Sequence, residues 1–292
     1  MAIWNLGSIN IDHVYAVPHL PAPGETLTAT AHSMGLGGKG ANQSVAAARA
    51  GAQVVHLGAV GADGAWTLER MAAAGVTVDK VLRTAAPTGH ANIYVDAAAE
   101  NVIVILRGAN WAAGPEVFGP LAAAAAGDTL LLQNETAYQA EAAAAAGARG
   151  LRVMYSAAPF ELGAVRAVLP HVSVLALNAG EAAELTRALG CGLEEVPVPE
   201  LLVTRGSAGA EWIETATGTR LHQPAFRVTP VDTTGAGDCF AGVFAAARDR
   251  GETPAAALRE AAAAAAIQVT RPGAGDAMPS RDEIADFLAR HG

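Results

Sequence analysis

Short apolar runs alternate with longer helix-patterned stretches along most of this chain, and that alternation restricts the fold more than any other feature. Ile3–Leu6, Val54–Val60, Thr129–Gln133, Arg152–Ser156, Val172–Leu177 and Leu201–Thr204 have the length and composition of strands. Between and after them, Ala41–Ala50, Gly64–Ala74, Thr136–Ala146, Ala179–Leu189, Asp238–Arg250 and Pro254–Thr270 read as helices. Strands separated by helices pair through crossovers, so the expected class is α/β, a mostly parallel central sheet covered on both faces in three layers. No fixed-period repeat or long linker interrupts the pattern, and residues 1–292 are read as a single domain. The alanine tracts Ala122–Ala126, Ala142–Ala146 and Ala261–Ala266 are strong helix formers and carry no chemistry.

Two segments break the rhythm. His13–Met34 holds Pro18, Pro21, Pro23 and Gly24 before the alternating stretch Glu25–Met34. Gly89–Gly108 reads as paired strands, Ala91–Asp96 and Asn101–Leu106, joined by Ala97–Glu100. Together they suit a small antiparallel flap outside the main sheet, and equally two surface excursions.

Composition removes several function classes. With 28 acidic against 19 basic residues the formal charge is −9, a field that repels phosphate backbones, and no basic cluster offsets it; nucleic acid is not an expected partner. The longest apolar alanine run, Ala261–Ile267, is far short of the ~20 residues a membrane span needs. Cys191 and Cys239 are too few for a disulfide framework. The first residues lack a basic region and a cleavage site, so a cytoplasmic enzyme is expected. Such an anionic chain would need a few well-placed groups to hold an anionic ligand.

Glycine loops supply candidates. Gly35-Leu36-Gly37-Gly38-Lys39-Gly40 satisfies G-x-G-x-x-G, but it does not directly follow the first strand and no acid ends the next strand, so a nicotinamide site fails on placement. Lys39 is followed by Gly40 rather than Ser or Thr, which excludes a P-loop. The loop still opens a helix, where Gly38, Lys39 and Asn42 offer donors to hydroxyl or phosphate oxygens. In Asp232-Thr233-Thr234-Gly235-Ala236-Gly237-Asp238, the amides of Gly235, Ala236 and Gly237 sit where a helix begins, a nest for developing negative charge. Asp238 alone reads as a helix cap, whereas beside that nest it reads as a base for phosphoryl transfer.

Asn178 and Glu181 can approach Mg²⁺ through water, although taken alone they read as a capping box. Thr204-Arg205-Gly206-Ser207-Ala208-Gly209 follows a strand and can border a phosphate chain or simply turn. Asn10 and Asp12, just past the first strand, have the donors and acceptors a polyol needs, and a turn would use the same residues. The eight histidines show no metal-binding spacing, and Cys239 reads as a small buried residue.

Gly37-Gly38-Lys39-Gly40-Ala41-Asn42-Gln43 and the Asp232–Asp238 loop resemble both signatures of the ribokinase-type (PfkB) carbohydrate kinase family. The likeness runs over nearly the whole chain and includes Gly7–Asp12, Pro23–Thr26, Glu100–Ile103, Gly108–Asn110, Asn178–Glu181 and Val269–Ala274. It implies a ribokinase-like three-layer α/β/α fold with a β-lid at 13–34 and 91–108. The implied activity is ATP-dependent phosphorylation of a sugar hydroxymethyl group, with D-ribose the expected acceptor. A ketohexose, a deoxy sugar, a nucleoside, or a catalytically weak sugar sensor are the alternatives.

By the same resemblance, Asp238 is the base and Gly235, Ala236 and Gly237 form the anion hole. Asn10, Asp12, Gly38, Lys39, Asn42 and Glu135 bind sugar, while Asn178, Thr204, Gly206 and Gly209 serve the nucleotide and Asn178 and Glu181 its Mg²⁺. Asp232 and backbone groups near Thr234, Gln268, Arg271 and Gly273 help hold an activating monovalent cation, usually K⁺. The lid implies a homodimer. Three features depart from the family pattern: Ala262 where an adenine-lining histidine is common, Ala277 where a serine often completes the cation shell, and a short 190–200 region.

Overall fold

The structure, a computed structural model, describes residues 1–98 and 100–291. Its main sheet has nine strands in the spatial order Thr219–Gln223, Ala210–Glu214, Glu200–Thr204, Val174–Asn178, Arg152–Ser156, Thr129–Gln133, Ala2–Leu6, Gln53–Leu57 and Val76–Thr77. All neighbours are parallel from Glu200–Thr204 onward; the first two strands form an antiparallel hairpin at one edge. Along Thr129–Gln133, Leu130 and Leu132 enter one apolar cluster and Leu131 the other, which is how a strand buried on both faces builds three layers. Each of these leucines is essentially inaccessible to solvent, and burying such a side chain contributes roughly 1.5–3 kcal/mol.

Most expected elements form, with their ends shifted by a few residues. The expected strand Val54–Val60 is two: Gln53–Leu57 stays in the main sheet, and Ala59–Val60 leaves it to pair with Leu82–Arg83. The expected helix from Thr136 begins only at Gln139. Beyond the expected elements the chain forms the hairpin Ala210–Glu214/Thr219–Gln223 and the helices Leu162–Val168 and Arg281–His291. Among the described residues no helix is long and apolar enough to cross a membrane.

The lid is a separate four-stranded sheet, ordered Ala31–Gly37, Asn10–Ala16, Gly89–Val95 and Asn101–Leu106. Its two outer pairs are antiparallel, and the central pair, Asn10↔Gly89 through Ala16↔Val95, is parallel. The first lid segment therefore runs from Asn10 to Gly37, wider than the expected 13–34, and the second runs from Gly89 to Leu106, against the expected 91–108. The turn expected at 97–100 crosses Ala99, which lies outside the described residues, as does Gly292 at the end of the expected domain.

Candidate active site

Strand order reverses around Ala2–Leu6, whose neighbours are Gln53–Leu57 on one side and Thr129–Gln133 on the other. In open α/β sheets such a switch point leaves a crevice beyond the carboxyl ends of the strands. The chain delivers Ser8, Glu135, Asn178 and Thr204 to that edge, each from the end of a different strand. Ser8 Oγ donates to Glu135 Oε2 at 2.5 Å, and the same oxygen accepts from the Lys39 amide at 3.1 Å. A carboxylate at the first amide of the helix Lys39–Arg49 is well placed against the helix dipole.

Asn10 and Asp12, for which the sequence leaves a polyol contact or a turn open, stand on the first lid strand. Asn10 is buried, and its Oδ1 accepts from Asn110 Nδ2 at 2.8 Å; Asn110 Oδ1 in turn accepts from the Ile9 amide at 2.9 Å. The Asp12 carboxylate lies against Gly37, where any Cβ would fall within 2.2 Å of it. Only glycine leaves room for that carboxylate. Burial, then the nearby Glu135 and Asp238 carboxylates, push the Asp12 pKa up, and Lys39 pulls it back. The Lys39 ammonium is held charged chiefly by Asp238, which outweighs its own burial.

Asp238 is the third residue of the helix Ala236–Asp249, whose N-cap is Gly235. As a helix cap its side chain would bond the first-turn amides, and it does not. Its two oxygens reach the neighbouring helix: Oδ2 accepts from Asn42 Nδ2 at 3.1 Å and Oδ1 from Gln43 Nε2 at 3.0 Å. Gln43 is anchored in turn, its Oε1 accepting from Gln133 Nε2 at 2.8 Å. The two helices approach this closely because Gly242 lies one turn beyond Asp238; a Cβ there would come within 2.5 Å of the Gln43 carbonyl oxygen. Ser8, Gln43 and Asn110 were not assigned from sequence. Each nonetheless lies inside a segment that carries the family resemblance: Gly7–Asp12, Gly37–Gln43 and Gly108–Asn110.

A cavity of about 190 Å³ opens beside this network, lined by Lys39, Asn178, Glu181, Thr204, Asp238 and the amide turn Gly235–Gly237. Gly206 and Gly209 lie outside its lining, in the short turn after Thr204. Asn178 and Glu181 form the capping box that their spacing suggests: Asn178 Oδ1 accepts from the Glu181 amide at 2.9 Å, and Glu181 Oε2 accepts from the Asn178 amide at 2.7 Å. Burial raises the Glu181 pKa, so its carboxylate gains from a cation in the cavity. Cys239, next to Asp238, is fully buried, and burial pushes its thiol pKa up.

The segments expected around the monovalent cation also converge. Asp232 accepts from the Thr234 amide at 2.8 Å and the Gly273 amide at 2.9 Å. Gln268 Nε2 donates to the Thr234 carbonyl at 2.8 Å and the Gly273 carbonyl at 3.1 Å. The Arg271 side chain turns to Glu283 at 2.5 Å, and Ala277 supplies no side-chain oxygen.

Residues 3–281 match the model of the pfkB family carbohydrate kinases. The chain is 35% identical to the ribokinase of Haemophilus influenzae over 97% of both chains. It is 33% identical to the deoxyribokinase of Salmonella typhi over 99% of both. The Arabidopsis thaliana ribokinase solved with ribose and ATP superposes with a TM-score of 0.87 at 29% identity, covering 99% of each chain. With both loop signatures intact around one crevice and relatives of this kind along its whole length, the chain belongs to the pfkB family of carbohydrate kinases.

Proposed function

We propose that this kinase, working as one domain in the cytoplasm, transfers the γ-phosphoryl group of ATP to the hydroxymethyl oxygen of D-ribose. The observation that carries the reading is the grip on Asp238: a carboxylate at a helix N-terminus that caps nothing and is aimed by two amides. Asp238 accepts the hydroxyl proton as the sugar oxygen bonds to the γ-phosphorus and the bond to the β-phosphate oxygen breaks, releasing ADP. The amides of Gly235, Ala236 and Gly237 donate to the transferring group, and Lys39 adds positive charge on the same side. Asn10, Asp12, Gly38, Lys39, Asn42 and Glu135 take the sugar. The Asn42 Oδ1, buried and without a partner among the described residues, is left to accept a sugar hydroxyl. Thr204 borders the nucleotide, with Gly206 and Gly209 shaping the loop behind it.

The second carboxylate oxygen of Glu181 and the cavity position of Asn178 fit a Mg²⁺ arriving with ATP, held through its waters. That ion would neutralise charge building on the phosphates. A homodimer through the lid is supported by the edge strand Asn101–Leu106, where Val102, Ile103, Val104, Ile105 and Leu106 are all exposed.

2-Deoxyribose is the second reading, favoured by the deoxyribokinase relative. An ADP-release assay over pentoses, deoxypentoses, hexoses and nucleosides decides, with Asp238→Asn as the blank. Highest kcat/KM on ribose is the expected result, together with loss of at least about a thousandfold in kcat in the variant. Near-normal turnover by Asp238→Asn would remove Asp238 as the base. Sugar binding without turnover by the unaltered protein would make it a sensor.

A further inference from the structure

We propose that the Gln268 carboxamide is a built-in replacement for the monovalent cation that the family resemblance places between the Asp232–Gly235 loop and the turn at Arg271–Gly273. Gln268 ends the helix Pro254–Gln268 and is wholly buried. Its Nε2 lies between two backbone carbonyl oxygens, 2.8 Å from that of Thr234 and 3.1 Å from that of Gly273. Two carbonyl dipoles pointing at one spot repel each other unless something positive lies between them. A bare cation meets that need, and so does an amide NH₂, which has one hydrogen for each carbonyl.

Three further observations support the amide. Gln268 Oε1 is buried and has no partner among the described residues. Exchanging the two ends of the side chain would therefore place three oxygens together and give Nε2 no acceptor in return. Both Asp232 oxygens already accept backbone amides, from Thr234 and from Gly273, so the carboxylate clasps the same two segments that the amide does. At Ala277, buried beside this turn, a methyl group stands where a side-chain oxygen would be needed to complete a cation shell. The residues thus fit an internal clamp better than a cation shell.

The clamp acts on Thr234, directly before Gly235 and the amide turn. Gln268 is a positioning residue: it holds the loop that aims the Gly235–Gly237 amides, and it touches no substrate. This step rests on the assignment of those amides to the transferring phosphoryl group. It carries a separate consequence, that loop order does not depend on K⁺.

Melting temperature tests the clamp without any turnover. The unaltered protein is expected to melt alike in KCl, NaCl and tetramethylammonium chloride at equal ionic strength, with and without ADP. Its kcat is expected to change by less than about twofold across the same salts. Gln268→Ala frees both carbonyls, so it is expected to gain a saturable, K⁺-selective rise in melting temperature. Its kcat, lowered in tetramethylammonium, is expected to recover about tenfold or more in K⁺ while the sugar KM stays put. Gln268→Glu, with oxygen in place of nitrogen, is expected to need K⁺ as well and serves if the alanine variant does not fold. A K⁺-selective stabilisation of the unaltered protein would overturn the proposal, as would variants indifferent to every salt. Failure to phosphorylate any sugar would overturn the assigned reaction and leave the melting series readable.

Discussion

At Asp12, burial comes first and the carboxylates of Glu135 and Asp238 second in raising the pKa to about 6, with Lys39 opposing them. The folded value lies above the ordinary 3.8, so the folded state binds the proton more readily than the unfolded chain. The cost of keeping Asp12 charged sets in as pH rises from 3.8 towards 6 and is complete above that. Asp12→Asn is therefore expected to stabilise the protein at pH 7.5, by on the order of 1–3 kcal/mol in urea unfolding. The same change should raise sugar KM about ten- to a hundredfold and flatten the acid limb of kcat/KM near pH 6. A variant no more stable than its parent would show that the charge costs nothing. Lys39, Asn42 and Asp238 were readable in the sequence because each lies within a contiguous loop whose glycines mark it. Ser8 and Asn110 were not, because their partners Glu135 and Asn10 are brought close only by the fold.

Helices were more legible than strands, since alanine-rich stretches declare their propensity locally. The edge hairpin is hard to read because Glu211, Glu214, Arg220 and His222 give Ala210–Gln223 the composition of a polar loop. What the alanines could not reveal was spacing between helices. Gly242 sets that spacing for the pair bearing Lys39 and Asp238, and Gly242→Ala would press a Cβ to within 2.5 Å of the Gln43 carbonyl and 2.8 Å of the Ala46 Cβ. A loss of about 1–3 kcal/mol in stability is expected, with kcat falling more than KM as Gln43 is pulled from Asp238. The control is Gly147→Ala in the helix Gln139–Ala148, where an added Cβ meets nothing within 4 Å. It should gain roughly 0.5–1 kcal/mol. Equal effects from both substitutions would remove helix spacing as the cause.

Across the whole molecule, stability in acid turns on His56, fully buried on the strand Gln53–Leu57 with its Nε2 donating to the Gly7 carbonyl. Burial lowers its pKa from 6.5 to about 4. Below pH 6.5 the unfolded chain takes up the proton first, so stability falls with pH until about 4. Between pH 7 and 5 this amounts to about 2 kcal/mol. Protonation of Asp12 offsets roughly 1 kcal/mol of that over the same range, so the slope is best read by urea unfolding in Asp12→Asn. A flat profile there would mean that His56 is not buried neutral.

The central strand Ala2–Leu6 is completed on one side by Thr129–Gln133, and the lid likewise joins Asn10–Ala16 to Gly89–Val95 in parallel. Pairings between such distant segments form slowly, because a long stretch of chain must be ordered before any contact repays it. The crevice is therefore a late event in folding: in stopped-flow refolding, helical signal is expected to recover before the ability to bind sugar.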